Sequence, residues 1–215
     1  DYGVEYTPAE TIITAGGKQA LYNAAMCPFG SGDEVVTHMP GWPTLVEQIK
    51  LADATPVIVR THPGNGFRPA ADALIKAFTP RTRGVIINSP GNPTGALISE
   101  EDLARVADEA AARCIWVLLD LCYEKLIYDP VPHNLPGILH TKLRDRAVLC
   151  GSSSKAYAMT GWRCGWTVAP VELISACNTI QGHSTSNIAS ITQKAAIAAL
   201  TGPQSASWRR TSIAT

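Results

Sequence analysis

Charge of one sign is what this sequence most lacks: eighteen lysines and arginines balance eighteen aspartates and glutamates over 215 residues. With no net charge and no basic cluster, nothing draws the chain to nucleic acid or to an anionic membrane, and the expected partner is a small molecule. Long apolar runs are missing as well; no window approaches the ~20 residues that cross a bilayer. The five histidines form no H-x-x-x-H or H-E-x-x-H grouping, which leaves a metal site without support. Six cysteines, at 27, 114, 122, 150, 164 and 177, include no C-x-x-C pair, and a chain with this much apolar content needs no disulfide staples. Scattered in this way they read as small packing residues in a reducing, cytoplasmic compartment. Absent too are a Walker A loop, a G-x-G-x-x-G dinucleotide fingerprint, internal repeats and low-complexity tracts.

What is present is an apolar content of 46%, enough to fill one large core. Val35 to Thr37, Pro56 to Val59, Gly84 to Asn88, Cys114 to Leu119, Ala147 to Cys150 and Trp166 to Ala169 read as strands. Thr44 to Leu51, Ala70 to Phe78 and Gln193 to Leu200 read as helices, and Pro170 opens another. Ser99 suits a helix N-cap, with Glu100, Glu101 and Asp102 supplying negative charge to the first turn. Continuous apolar strands alternating with helices predict an α/β fold, a mostly parallel sheet flanked by helices on both faces. In such sheets ligands sit beyond the carboxyl ends of the strands, so the polar residues Asn88, Asp120 and Ser152 mark where chemistry is to be sought.

Gly151-Ser152-Ser153-Ser154-Lys155 puts three hydroxyls and an amine in one turn after a strand. The serines can donate to a phosphate and the lysine can act as a nucleophile; a solvated serine-rich loop fits the same residues. Ser152-x-x-Lys155 also matches the signature of acylating serine enzymes, but the K-T-G element those enzymes carry is missing. Asp120 closes an apolar strand, either as a turn cap or as the partner of a protonated ring nitrogen, and Tyr123 lies three residues on. Asn88 to Gly95 holds two prolines and two glycines, a restricted turn with the amide of Asn92 inside it. Gly16-Gly17-Lys18 precedes a helical stretch, where backbone N–H groups can approach an anion. Trp42 is either core or a flat platform for a ring, and Arg163, between two tryptophans, is either a stacked surface residue or a phosphate fork.

In order and spacing, GGKQALYNA at 16–24, P-x-W at 40–42, NSPGNPTGA at 88–96, the D-x-x-Y of Asp120 and Tyr123, and SSSKAYAMTGWRCGW at 152–166 resemble one family. It is that of the fold-type I pyridoxal-phosphate enzymes, the class I/II aminotransferases, and the resemblance runs from about Val4 to Gly202. The resemblance implies a pyridoxal 5′-phosphate cofactor held as a Schiff base on Lys155. It implies that Asp120 pairs with the pyridinium nitrogen, that Asn92 and Tyr123 bond the phenolic oxygen, and that Trp42 stacks on the ring. Gly17 and Lys18, through backbone N–H, would hold the phosphate with Ser152, Ser154 and Arg163. The implied reaction is ping-pong transfer of an amino group from an L-amino acid to a 2-oxo acid. A lyase or decarboxylase, or a catalytically silent cofactor-binding or dimerisation module, would use the same residues. The resemblance further implies a homodimer, with residues 1–202 as the large domain and 203–215 as an atypical tail. The N-terminal arm and C-terminal small domain of the family are expected to be lacking.

Overall fold

The computed structural model describes residues 2–128 and 131–204; of the tail expected over 203–215, all from Ser205 onward, with Trp208 to Arg210, lies outside the described residues. Strands and helices alternate along the chain: β1 (Thr11–Thr14), α1 (Gly17–Met26), β2 (Glu34–Met39), α2 (Pro43–Leu51), β3 (Thr55–Arg60), α3 (Ala71–Lys76), β4 (Thr82–Asn88) and α4 (Glu100–Ala112). There follow β5 (Trp116–Asp120), α5 (Leu135–Leu143), β6 (Ala147–Ser152), β7 (Gly165–Val168), α6 (Val171–Gly182) and α7 (Ser190–Thr201).

The seven strands form one sheet in the order β1-β7-β6-β5-β4-β2-β3. From β2 through β6 every pairing is parallel, and β7 alone runs against its neighbours β6 and β1. The α/β fold with a mostly parallel sheet is therefore the one observed. Successive residues of the central strands point to opposite faces, and both faces are apolar. Val85, Ile87, Val117 and Leu119 pack with Leu74 of α3, Leu103 and Val106 of α4, and Leu139 of α5. Ile86, Leu118 and Val148 pack on the other side with Leu21 and Ala24 of α1, Ile49 of α2 and Ile174 of α6. This is why the strands read as unbroken apolar runs, and each fully buried side chain of this size contributes about 1.5–3 kcal/mol.

Ser99 caps α4 as expected: its Oγ accepts the Asp102 N–H at 3.0 Å. Asp102 then accepts the Ala71 N–H at 2.8 Å, so the cap of one helix also secures the start of α3. Some boundaries differ from expectation. Cys114 takes a left-handed backbone (φ 57°) and closes the turn after α4, so β5 begins at Trp116. The helix expected over Ala70 to Phe78 is α3, with Ala70 as its N-cap. Asp120 and Ser152 belong to the last positions of β5 and β6 instead of following them.

The strand order sets the position of a crevice. From β2 the chain goes outward to β3, then returns to place β4 on the other side of β2, so connections diverge between β2 and β4. Open sheets of this kind bind ligands at the carboxyl ends of the strands near such a switch point.

Candidate active site

Asn88 and Asp120 are paired neighbours at the carboxyl ends of β4 and β5, and Ser152 ends β6 beside them. Across the crevice, β2 delivers Trp42 through the turn after Met39, and the first turn of α1 brings Gly17 and Lys18. The ten residues singled out in the sequence, Gly17, Lys18, Trp42, Asn92, Asp120, Tyr123, Ser152, Ser154, Lys155 and Arg163, all line one cavity of about 210 Å³. Leu21, Asn88, Cys122 and Thr160 complete its wall.

Part of this cavity's wall is built to receive an anion. Gly16, the N-cap of α1, has no side chain to offer its helix, so the first-turn N–H groups are left without a side-chain cap. Its φ of +81° requires glycine, and a Cβ there would meet the Arg163 guanidinium at 2.2 Å. Gly165 lets β7 approach the same turn, since a Cβ on it would stand 2.5 Å from the Gly17 nitrogen. Arg163 is anchored by two carbonyls, Thr160 at 3.0 Å and Ala15 at 3.2 Å. A Cβ on Gly17 would touch the Ser152 hydroxyl at 3.5 Å, which places the helix start, the hydroxyl and the guanidinium around one point. Ser154 is buried alongside.

The same cavity presents a carboxylate. Asp120 is only 3% exposed. Its Oδ1 accepts the Cys122 N–H at 3.0 Å, and among the described residues no cation bonds it. Burial pushes its pKa up to about 6, against the lowering effect of that one N–H. A buried carboxylate in this condition is complementary to a cationic N–H group brought by a ligand.

Lys155 and Tyr123 line the cavity as well, with the Lys155 Nζ 5.8 Å from the Tyr123 ring centre. The lysine sits in a turn closed by bonds from Tyr157 N to Ser153 O at 3.2 Å and from Ala158 N to Lys155 O at 3.2 Å. Thr160 Oγ1 adds a bond to Ser154 O at 3.2 Å. Burial raises the Tyr123 phenol, which stays protonated at neutral pH. Over the crevice, the Lys18 ammonium lies 5.2 Å from the centre of the Trp42 ring.

Asn92 is positioned by a residue the sequence reading left out of the site. Asn88 Oδ1 accepts the Asn92 N–H at 2.7 Å, while Asn88 Nδ2 donates to the Asp120 carbonyl at 3.3 Å. One buried amide thus links the proline-glycine turn to the strand of the carboxylate. The pairing of β2 with β4 stops at Thr37–Ile86. The backbone N–H of Asn88, beyond that point, donates to His38 Nε2 at 3.3 Å. His38 is buried, and desolvation lowers its pKa to about 4, so the ring is a neutral acceptor. No periodicity or motif marks His38; its part depends on where two strands separate.

A cavity lined by an anion cup, a carboxylate without a cation and an amine can hold a flat, doubly charged ligand and react with its carbonyl. The profile of the aminotransferase class I and II family matches this sequence over residues 1–215. This chain belongs to that family. It is 43% identical over 203 residues to the aspartate/prephenate aminotransferase of Cereibacter sphaeroides, covering 94% of this chain and 51% of that protein. The aspartate aminotransferase of Geobacillus stearothermophilus is 41% identical over 204 residues, with 95% and 52% covered. Among solved structures, the aspartate aminotransferase of Rhizobium meliloti superposes with a TM-score of 0.92 at 38% identity, covering 98% of this chain and 53% of that one. The Thermus thermophilus aspartate aminotransferase with maleate gives 0.87 at 36% identity, covering 93% and 51%. The chain spans about half the length of the curated relatives it matches.

Proposed function

We propose that this chain is the cofactor-binding part, with residues 1–202 as its large domain, of an enzyme that moves an amino group from an L-amino acid to a 2-oxo acid. The cofactor in this reading is pyridoxal 5′-phosphate, anchored on Lys155. The observation that carries the reading is that one cavity is lined by a buried, cation-free Asp120, an uncapped helix start with Arg163, and Lys155. When bound, this cofactor supplies an aldehyde for imine exchange and an electron-accepting ring for a substrate carbanion.

The chain's own residues then have defined work. Asp120 keeps a ring N–H cationic by offering it a carboxylate in a low-dielectric setting. The α1 first turn, Ser152, Ser154 and Arg163 hold the phosphate oxygens. Asn92 and the Tyr123 hydroxyl orient the ring through its phenolic oxygen, and Trp42 covers one face against water. Lys155 Nζ would form the covalent tie and, when released, would stand as the general base and acid for the proton of the substrate Cα. Aspartate is the first amino donor to try, on the strength of the names the relatives carry. A homodimer, which rests on the family resemblance, and a cytoplasmic setting, which rests on the scattered cysteines, belong to the same proposal.

The test is chemical. Purified protein mixed with pyridoxal phosphate and reduced with borohydride is expected to carry one phosphopyridoxyl mass, mapped to Lys155, and Lys155→Ala is expected to carry none. A label absent, or placed on another lysine, ends the reading.

A further inference from the structure

Helices α1 and α6 meet along a seam of constant register. Gln19 Nε2 bonds Thr185 Oγ1 just past the end of α6. One turn on, Asn23 Nδ2 donates to Gln181 Oε1 at 3.1 Å. One turn further, the sulfurs of Cys27 and Cys177 stand 3.5 Å apart. Each step moves four residues forward on α1 and four back on α6, the spacing at which side chains of antiparallel helices fall on one shared line. The two hydrogen-bonded pairs fix the register independently of the cysteines. Gln181 secures it further by donating to the Ile13 carbonyl at 2.8 Å.

We propose that Cys27 and Cys177 are a modification site, at which a small-molecule disulfide oxidises the pair to a reversible intramolecular disulfide. The sulfurs must approach by only ~1.5 Å to reach bonding distance. Cys27 is half-buried and open to a small reagent, whereas Cys177 is wholly buried. The remaining cysteines are placed otherwise. Cys150 and Cys122 face hydroxyls, at 3.8 Å from Thr167 and 3.4 Å from Ser152, Cys164 is buried, and Cys114 is exposed.

The order of events follows from exposure: a reagent reaches the half-buried Cys27 first, and the buried Cys177 stands 3.5 Å behind it, where either sulfur can donate to the other. The Cys27 thiolate attacks one sulfur of the reagent, breaking its S–S bond and expelling one thiolate. Cys177 then gives up its proton and attacks the Cys27 sulfur of the mixed disulfide, expelling the second thiolate. The protein loses two protons and two electrons, and the reagent leaves as two thiols. The product ties the far end of α1, the helix whose first turn faces the anion cup, to α6.

The purified chain would be equilibrated in glutathione buffers of increasing oxidised fraction, then denatured, alkylated and mapped by mass spectrometry. The expected result is loss of two of the six alkylatable thiols, a mass lower by two hydrogens, and a linked pair of peptides containing Cys27 and Cys177. The oxidised protein should melt at a higher temperature, and dithiothreitol should reverse both changes. Cys114→Ser should behave as wild type and Cys27→Ser should form no link. Six alkylatable thiols under the most oxidising buffer, a glutathione adduct that stays on Cys27, or links distributed among other cysteines would each overturn the proposal. The wild-type map decides this without relying on any variant.

Discussion

Two buried carboxylates stand at opposite edges of the same sheet and are treated in opposite ways. Glu34, at the start of β2, accepts the Thr79 hydroxyl at 2.6 Å and the Arg81 Nε–H at 2.9 Å. Thr79 first, then Arg81, hold its pKa below the usual carboxylate range. Asp120, at the end of β5, has one backbone N–H, and burial drives it to about 6. The chain supplies a cation where a carboxylate serves the fold and withholds it where a ligand is to bring one. A carboxylate that costs the isolated protein stability marks the functional edge of the sheet.

That contrast can be broken at either edge. The largest effect is expected from Asp120→Ala, which removes the charge that keeps a bound ring cationic: kcat should fall by about 10³-fold or more at saturating cofactor. Unchanged turnover would reduce Asp120 to a turn cap. The cofactor-free protein should respond the other way to Asp120→Asn. Between its ordinary 3.8 and about 6 the folded aspartate binds a proton more readily than the unfolded one, so its contribution declines as pH rises through that window. The amide escapes this loss. Denaturant melts should show the variant more stable by up to about 3 kcal/mol at pH 8, and the gain should vanish below pH 4. A gain that persists in acid would point to a cause other than the buried charge.

Smaller effects sharpen the picture. Arg163→Lys keeps the charge at the anion cup but loses the planar fork, and cofactor affinity measured by titration should weaken about tenfold. Glu34→Gln is the control at the other edge. Its depressed pKa means its contribution is present above the ordinary 4.5 and is lost as pH falls toward the folded value. The variant should therefore melt earlier at neutral pH, match wild type in acid, and bind cofactor as tightly as wild type. A loss of binding would undo the distinction between the two edges.

The central strands were legible because a sheet buried on both faces leaves nothing polar to interrupt Gly84 to Ile87 or Val117 to Leu119. β1 was not, because four residues with threonine at both ends carry no pattern, and its place is set by pairing with β7. α5 escaped as well, although its start is written locally: Asn134 caps it by accepting the Gly137 N–H at 3.1 Å, with Pro136 in the first turn. The ten cavity residues could be named because glycines, prolines, serines and charges cluster in short motifs at strand ends. Cys122 and Thr160 could not, since nothing local distinguishes a wall residue from a loop residue. Asn88 was marked as a strand-end position for chemistry but given no role; its two hydrogen bonds, to Asn92 and to Asp120, exist only once β4 and β5 lie in register.

A crevice in a parallel sheet is bought with broken backbone pairing, and here the imidazole of His38 makes good the loss at the Asn88 amide. A histidine used in this way gives the opening a weakness toward acid. As pH falls from its ordinary 6.5 to about 4 the unfolded ring gains a proton more readily than the buried one, and below that the ring can no longer accept. Acidification should then loosen the mouth between β2 and β4 ahead of the apolar layers, so that ligand is released from a sheet still largely intact.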